Sequence, residues 1–232
     1  VTGRTAPAVL PPSLRAPLGL VAALAGLVVL VIGAMYAGHS RPGRVDSWLV
    51  PPTADSVGPP WRCVALTLDF LGEPAGSVPL VMVVVAGCLL LRRPRAAVLA
   101  VVGAVTVVGT ATLLKQLVGR TIHGPDNLSY PSGHTSFFTA LALVVALVAT
   151  DRLGLGRTAG LSLVLGAALV AGAAMGWAEV ALGAHYPTDA LGGWCTALAV
   201  VPATAWLVDR AADRMAARPV GRAGGAGQGE PH

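Results

Sequence analysis

The sequence predicts an all-α integral membrane protein of six transmembrane helices, with a polar site at the outer ends of the last four. Three observations carry this. Of the 232 residues, 54% are apolar and only 12% charged, whereas soluble domains carry charge on about 25%. The mean hydropathy is +0.70, too high for a surface facing water on all sides. The apolar residues also fall into blocks near the roughly 20-residue length that crosses a bilayer core, separated by short polar joints.

Taken in order, the blocks are residues 17–36, 77–91, 96–117, 135–150, 158–177 and 190–208. The first is too long and too apolar for a signal-peptide core and reads as a retained helix. A Pro/Gly-rich stretch, 41–60, separates it from the second. There follows WRCVALTLDFLG, in which Trp61, Val64, Ala65, Leu68 and Leu71 recur at helical spacing, so 61–72 is expected as a short interfacial helix or a buried surface turn. The second block is short and is expected to extend back toward Phe70, carrying Glu73 near the interface. The fourth is expected to reach back to Ser132, its first turn lined by protein and water rather than lipid.

The organisation expected is a cytoplasmic segment 1–16, a membrane domain 17–209 with an outer loop 37–76, and a cytoplasmic tail 210–232, disordered at its end. Of the 16 basic residues, 11 lie at the termini and in the even-numbered joints, and 5 in the odd-numbered ones. The positive-inside rule then puts both termini in the cytoplasm of a multi-pass plasma-membrane protein. Basic residues at helix ends are topology signals, so the net charge of +5 does not imply a nucleic-acid partner. Cys63, Cys88 and Cys195 show no metal-ligand spacing, and two of them sit in apolar blocks, against a disulfide framework.

The ionisable residues that are costly beside apolar spans lie in two joints on the outer side. The third joint reads KQLVGRTIHGPDNLSYPSGHTS from Lys115, the only lysine; the fifth reads WAEVALGAHYPTDALGGW from Trp177. In the third, Tyr130-Pro131-Ser132-Gly133-His134 runs into an apolar helix. Free N–H groups and the positive helix end make an anion site there, Gly133 permits close approach, and His134 is placed to donate a proton. In the fifth, Pro187 opens a helix, so Asp189 in its first turn reaches back to His185, orienting one ring nitrogen and freeing the other as base or nucleophile. Lys115 and Arg120 add positive charge from the end of the third span. The bland alternatives are a solvated histidine, a simple N-cap turn and a snorkelling lysine. No metal set is evident.

YPSGHTS followed by GAHYPTDALGGW resembles the type 2 phosphatidic acid phosphatase superfamily, which also includes the vanadium haloperoxidases. Its motifs are K-x6-R-P, P-S-G-H and S-R-x5-H-x3-D, and the resemblance runs from Lys115 to Trp194. It implies that His185 attacks phosphorus to form a phosphohistidine, Asp189 orients it, and His134 protonates the leaving group. Ser132, Gly133 and Lys115 would hold phosphate oxygens, with Tyr130 in the same loop. The substrate class implied is a membrane lipid phosphate or diphosphate, such as a polyprenyl (di)phosphate, turned over without a metal or other cofactor.

The departures are specific. Ile122 and His123 stand where the family has Arg-Pro, and Arg120 two residues earlier is a partial substitute; Ala178 and Glu179 stand where Ser-Arg is expected. A charge-assisted hydrogen bond contributes roughly 1.5–3 kcal/mol, so losing two costs on the order of 10²–10⁴ in rate or affinity. Glu179 therefore pairs with Arg120 or Lys115 to shape an unusual headgroup site, binds a substrate hydroxyl or amine, or marks a pocket that binds without hydrolysis. The readings that follow are a lipid phosphatase or phosphotransferase, or a non-catalytic lipid-phosphate binding protein. A vanadate-dependent haloperoxidase shares the pocket but is normally soluble, and six spans argue against it.

Overall fold

A computed structural model, which describes residues 6–217, shows eight helices and no strand among the described residues. They are α1 (Pro12–Met35), α2 (Arg44–Asp55), α3 (Pro59–Gly72), α4 (Pro74–Leu90), α5 (Pro94–Val118), α6 (Gly133–Arg152), α7 (Arg157–Ala181) and α8 (Pro187–Ala216). Five begin on proline, whose missing N–H costs nothing in a first helical turn. α5 stops at Gly119, whose φ of 62° is the left-handed conformation that glycine adopts without steric cost. α6 opens on Ser132, whose hydroxyl accepts the N–H of Thr135 at 3.2 Å.

Five helices, α1, α5, α6, α7 and α8, are long and apolar enough to cross a membrane, and α4 makes a sixth when taken with α3 as one bent pair. The expected backward extension of the second block through Glu73 does not form. The chain turns by 73° between α3 and α4. Pro74 excludes its neighbour from the helical region, and Glu73 sits at φ −69°, ψ 156° instead. The segment 61–72 is a helix, starting two residues earlier than expected.

α2 lies inside the Pro/Gly-rich stretch 41–60, for which the sequence marked no element. Gly43 and Asp46 form its cap, the Gly43 N–H donating to Asp46 Oδ2 at 3.0 Å. The first residues of the expected tail, 210–216, continue α8, Ala217 caps it, and 218–232 lie outside the described residues.

α8 is the hub, packing on α1, α5, α6 and α7. Its buried positions include Gly192, Gly193, Ala197 and Ala205, the small residues that let membrane helices approach closely. Leu20, Leu24, Leu27 and Leu30 of α1 all point outward, as a surface solvated by lipid requires. At one end of the bundle Arg95 bonds to Asp209 at 3.4 Å and Asp213 at 2.8 Å. The Asp209 carboxylate there also accepts the N–H groups of Val9 and Leu10. The opposite ends of α5, α6, α7 and α8 carry Lys115, His134, Glu179 and Asp189.

Candidate active site

Asp189 sits in the first turn of α8, fully buried. Its Oδ1 accepts from Arg120 at 2.6 Å and its Oδ2 from the Tyr186 N–H at 3.0 Å. Oδ2 also lies 3.8 Å from His185 Nδ1, an approach rather than a hydrogen bond. His185, in the loop before α8, is buried at 7% exposure. Burial pushes its imidazole below the ordinary 6.5, with Lys115 and His134 pushing the same way and Asp189 against them.

Glu179, one turn from the end of α7, stands between the two histidines. Its Oε2 is 3.6 Å from His185 Nε2 and 3.7 Å from His134 Nδ1. The other edge of His134 faces Glu73, Nε2 to Oε1 at 3.5 Å. Glu73 is carried there by the corner between α3 and α4. Gly72 at that corner lies so close to His134 that a Cβ would collide with the imidazole. Asp69, Glu73 and His134 bring ligand-type atoms within 4.8 Å of one another. The sequence signal for this acidic pair was two carboxylates four apart in a largely apolar run.

Lys115, Gly133, His134 and Glu73 line one end of a groove of about 730 Å³ between α4, α5 and α6. Val78, Val81, Met82, Val101, Val105 and Val108 form the rest of its wall. At Gly133 a Cβ would meet nothing within 4 Å, so the start of α6 is open. A second groove, between α2, α7 and α8, has no ionisable side chain in its lining and holds none of these groups.

Four residues expected to bind substrate have partners within the protein. Arg120 is fully buried, and its bonds go to residues other than Glu179. It donates to Thr188 Oγ1 and Asp189 Oδ1, both at 2.6 Å, and to Asp46 Oδ2 at 2.7 Å. Its guanidinium also stacks between the rings of Tyr36 and Tyr186, at 4.0 and 4.6 Å. Tyr130 is fully buried, its hydroxyl donating to the Val29 carbonyl at 2.7 Å. His123 is exposed and its Nε2 meets the Gly183 carbonyl at 2.7 Å, tying two loops together. Ser132 is occupied in capping α6, its hydroxyl also donating to Thr135 Oγ1 at 3.0 Å.

Asp46 is the residue that the sequence left unmarked. Fully buried, it accepts from Arg120, from the Thr188 N–H at 3.0 Å and from the Thr188 hydroxyl at 3.0 Å. Two carboxylates thus flank one guanidinium, Asp46 on one side and Asp189 on the other.

A model of the PAP2 superfamily matches residues 96–213, half of the chain and every one of these motif positions. The chain belongs to the PAP2 superfamily. Membership gives, at the coarse level, a membrane phosphatase acting on phosphoric esters. The same fold occurs in the crystal structure of a transmembrane PAP2-type phosphatidylglycerolphosphate phosphatase from Bacillus subtilis. The likeness has a TM-score of 0.63 and 21% identity, covering 87% of this chain and 98% of that one. A comparison with curated proteins finds no match. Among PAP2 signatures, the P-S-G-H and H-x3-D elements here converge on Glu179, where the first-motif and third-motif arginines are missing.

Proposed function

We propose that the protein is a lipid phosphatase that works through a phosphohistidine at His185, on a substrate whose headgroup differs from a simple phosphate monoester. The observation that carries this is the convergence of His185 and His134 on one carboxylate, 3.6 and 3.7 Å away, at the end of an apolar groove. The lipid tail lies in the groove along α4 and α5, and its phosphate reaches Lys115 and the open start of α6. His185 Nε2 attacks phosphorus, Asp189 keeps Nδ1 in place, and His134 meets the leaving oxygen. Water, or an acceptor in a phosphotransferase, then releases the phosphoryl group. The arginine-rich end faces the cytoplasm and the site faces outward.

The test is phosphate release by detergent-purified protein from a panel of polyprenyl phosphates and diphosphates, phosphatidyl phosphates and lipid-linked sugar phosphates. Release that disappears in His185→Ala, with acid-labile label trapped on the wild type, is the expected result. Full activity in that variant removes the mechanism. The position of Glu179 also favours a second reading, a pocket that binds lipid phosphate without cleaving it. It predicts saturable binding, no release, and activity gained in Glu179→Arg.

A further inference from the structure

We propose that Glu73 is a positioning residue for His134, so that each of the two histidines is backed by a carboxylate of its own. Two ring nitrogens, His185 Nε2 and His134 Nδ1, converge on Glu179 Oε2 at 3.6 and 3.7 Å. Behind each ring the remaining nitrogen faces an acid. His185 Nδ1 lies 3.8 Å from Asp189 Oδ2, and His134 Nε2 lies 3.5 Å from Glu73 Oε1. Both distances are longer than a well-formed hydrogen bond, and catalytic contacts of this kind often tighten only when substrate is bound. His134 Nε2 is closed off from solvent and has no hydrogen-bond partner. Among the described residues Glu73 is the acid that pairs with this nitrogen, while Asp69 stands within 4.8 Å of the pair.

Glu73 is not explained by its own helix. It is the N-cap residue of α4, yet its side chain makes no capping bond, and Ser, Thr, Asp or Asn serves that position better. Pro74 holds Glu73 extended and the chain turns by 73° there, with the carboxylate facing the start of α6. Gly72, the preceding residue, leaves no room for a Cβ beside the same imidazole. One corner of the chain thus meets His134 with both backbone and carboxylate.

The catalytic consequence rests on the phosphatase reading, whereas the pairing does not. In the first step His185 Nε2 bonds to phosphorus and the bond from phosphorus to the lipid oxygen breaks. That oxygen takes the Nδ1 proton of His134, and the ring keeps its Nε2 proton, held by Glu73. In the second step water attacks phosphorus, gives one proton back to Nδ1 and leaves the other on the phosphate, and His185 is released. A neutral His134 with its proton on Nδ1 has no free nitrogen there to take the proton of water. A carboxylate at Nε2 selects the useful tautomer.

The experiment compares wild type, Glu73→Gln and Glu73→Asp as full chains in detergent. Glu73 is exposed at a helix corner and glutamine matches its shape, so the first variant is expected to fold. Two substrates differ in leaving group: a lipid monophosphate of the panel, whose alkoxide leaves with a proton, and p-nitrophenyl phosphate, whose phenolate leaves without one. Glu73→Gln should lower kcat on the lipid by about tenfold or more and on the nitrophenyl ester by less than about threefold, with KM unchanged, since a positioned acid contributes roughly 10²–10⁴-fold. Glu73→Asp should recover part of the loss. Equal loss on both substrates, or no loss on either, overturns the positioning role. Nitrogen-15 spectra of the histidine-labelled chain, with His134→Asn to assign the ring, need no turnover. With the ring neutral, the wild type should hold its proton on Nε2, and Glu73→Gln should spread it over both nitrogens. An unchanged tautomer in that variant overturns the pairing. Absence of His185-dependent release from every lipid removes the phosphatase reading, and the spectra still decide whether Glu73 holds His134.

Discussion

Arg120 donates to Asp189 at 2.6 Å, and neither side chain has any exposure to solvent. The contact fixes the carboxylate whose other oxygen lies 3.8 Å from His185. Arg120 thus holds Asp189 in place, with Asp46 as a second carboxylate on the same guanidinium at 2.7 Å.

Removing it leaves two buried acids without a counter-ion. Breaking a buried pair from one side costs about 3–5 kcal/mol, so Arg120→Ala should lower thermal stability in detergent sharply. Arg120→Lys keeps the charge but cannot fork to Asp46 and Asp189 together. Partial recovery of stability without recovery of kcat is the expected pattern. A fully active, fully stable Arg120→Ala protein would exclude the positioning role.

The pH profile follows from His185. Its imidazole lies below the ordinary 6.5 because of burial, so the free base persists to lower pH than in an exposed histidine. The acid limb of kcat/KM should therefore fall below pH 6.5. The same shift makes a stabilising contribution that is present above the unfolded value and is lost as pH falls below it, where the unfolded chain takes up the proton first. An acid limb above neutrality would contradict the environment described.

Gly72 presses on His134. In Gly72→Ala the new methyl group collides with the imidazole and either the ring or the α3–α4 corner moves. Misplacement by about 1 Å can cost on the order of 10²-fold in rate. The expected outcome is a fall in kcat with little change in KM, measured on the best lipid of the panel.

The groove makes a separable prediction. Val105→Trp fills space along α5 that the tail is proposed to occupy, while leaving the charged end untouched. KM for long-chain lipid phosphates should rise about tenfold or more, with short-chain, detergent-soluble analogues unaffected. Equal effects on both would place the tail elsewhere.

The spans were legible because lipid solvation writes itself into composition: 24 residues in α1 and 25 in α5 are apolar enough to be marked by hydropathy alone. The P-S-G-H and H-x3-D elements were legible for a local reason, since helix starts and i, i+4 spacing are short-range. What stayed hidden was long-range. Asp46 and Arg120 are 74 positions apart, and nothing in either neighbourhood announces the other. α2 was hidden by Pro51 and Pro52, which argue against a helix unless tertiary contacts support it. The corner at Glu73 was written in Pro74, but hydropathy masks a proline inside an apolar run.

The attachment of Val9 and Leu10 to Asp209 bears on how the molecule is made. The residues it joins lie 200 and 199 positions apart, so α1 leaves the ribosome long before the carboxylate that anchors its start. Arg95 waits as well, since both of its acidic partners lie on α8. Until α8 is made, Arg95 has neither of these acidic partners. α8 packs on α1, α5, α6 and α7, and the same helix brings Asp189 to the other end. A chain cut before α8 therefore lacks both the Asp209 seam and Asp189.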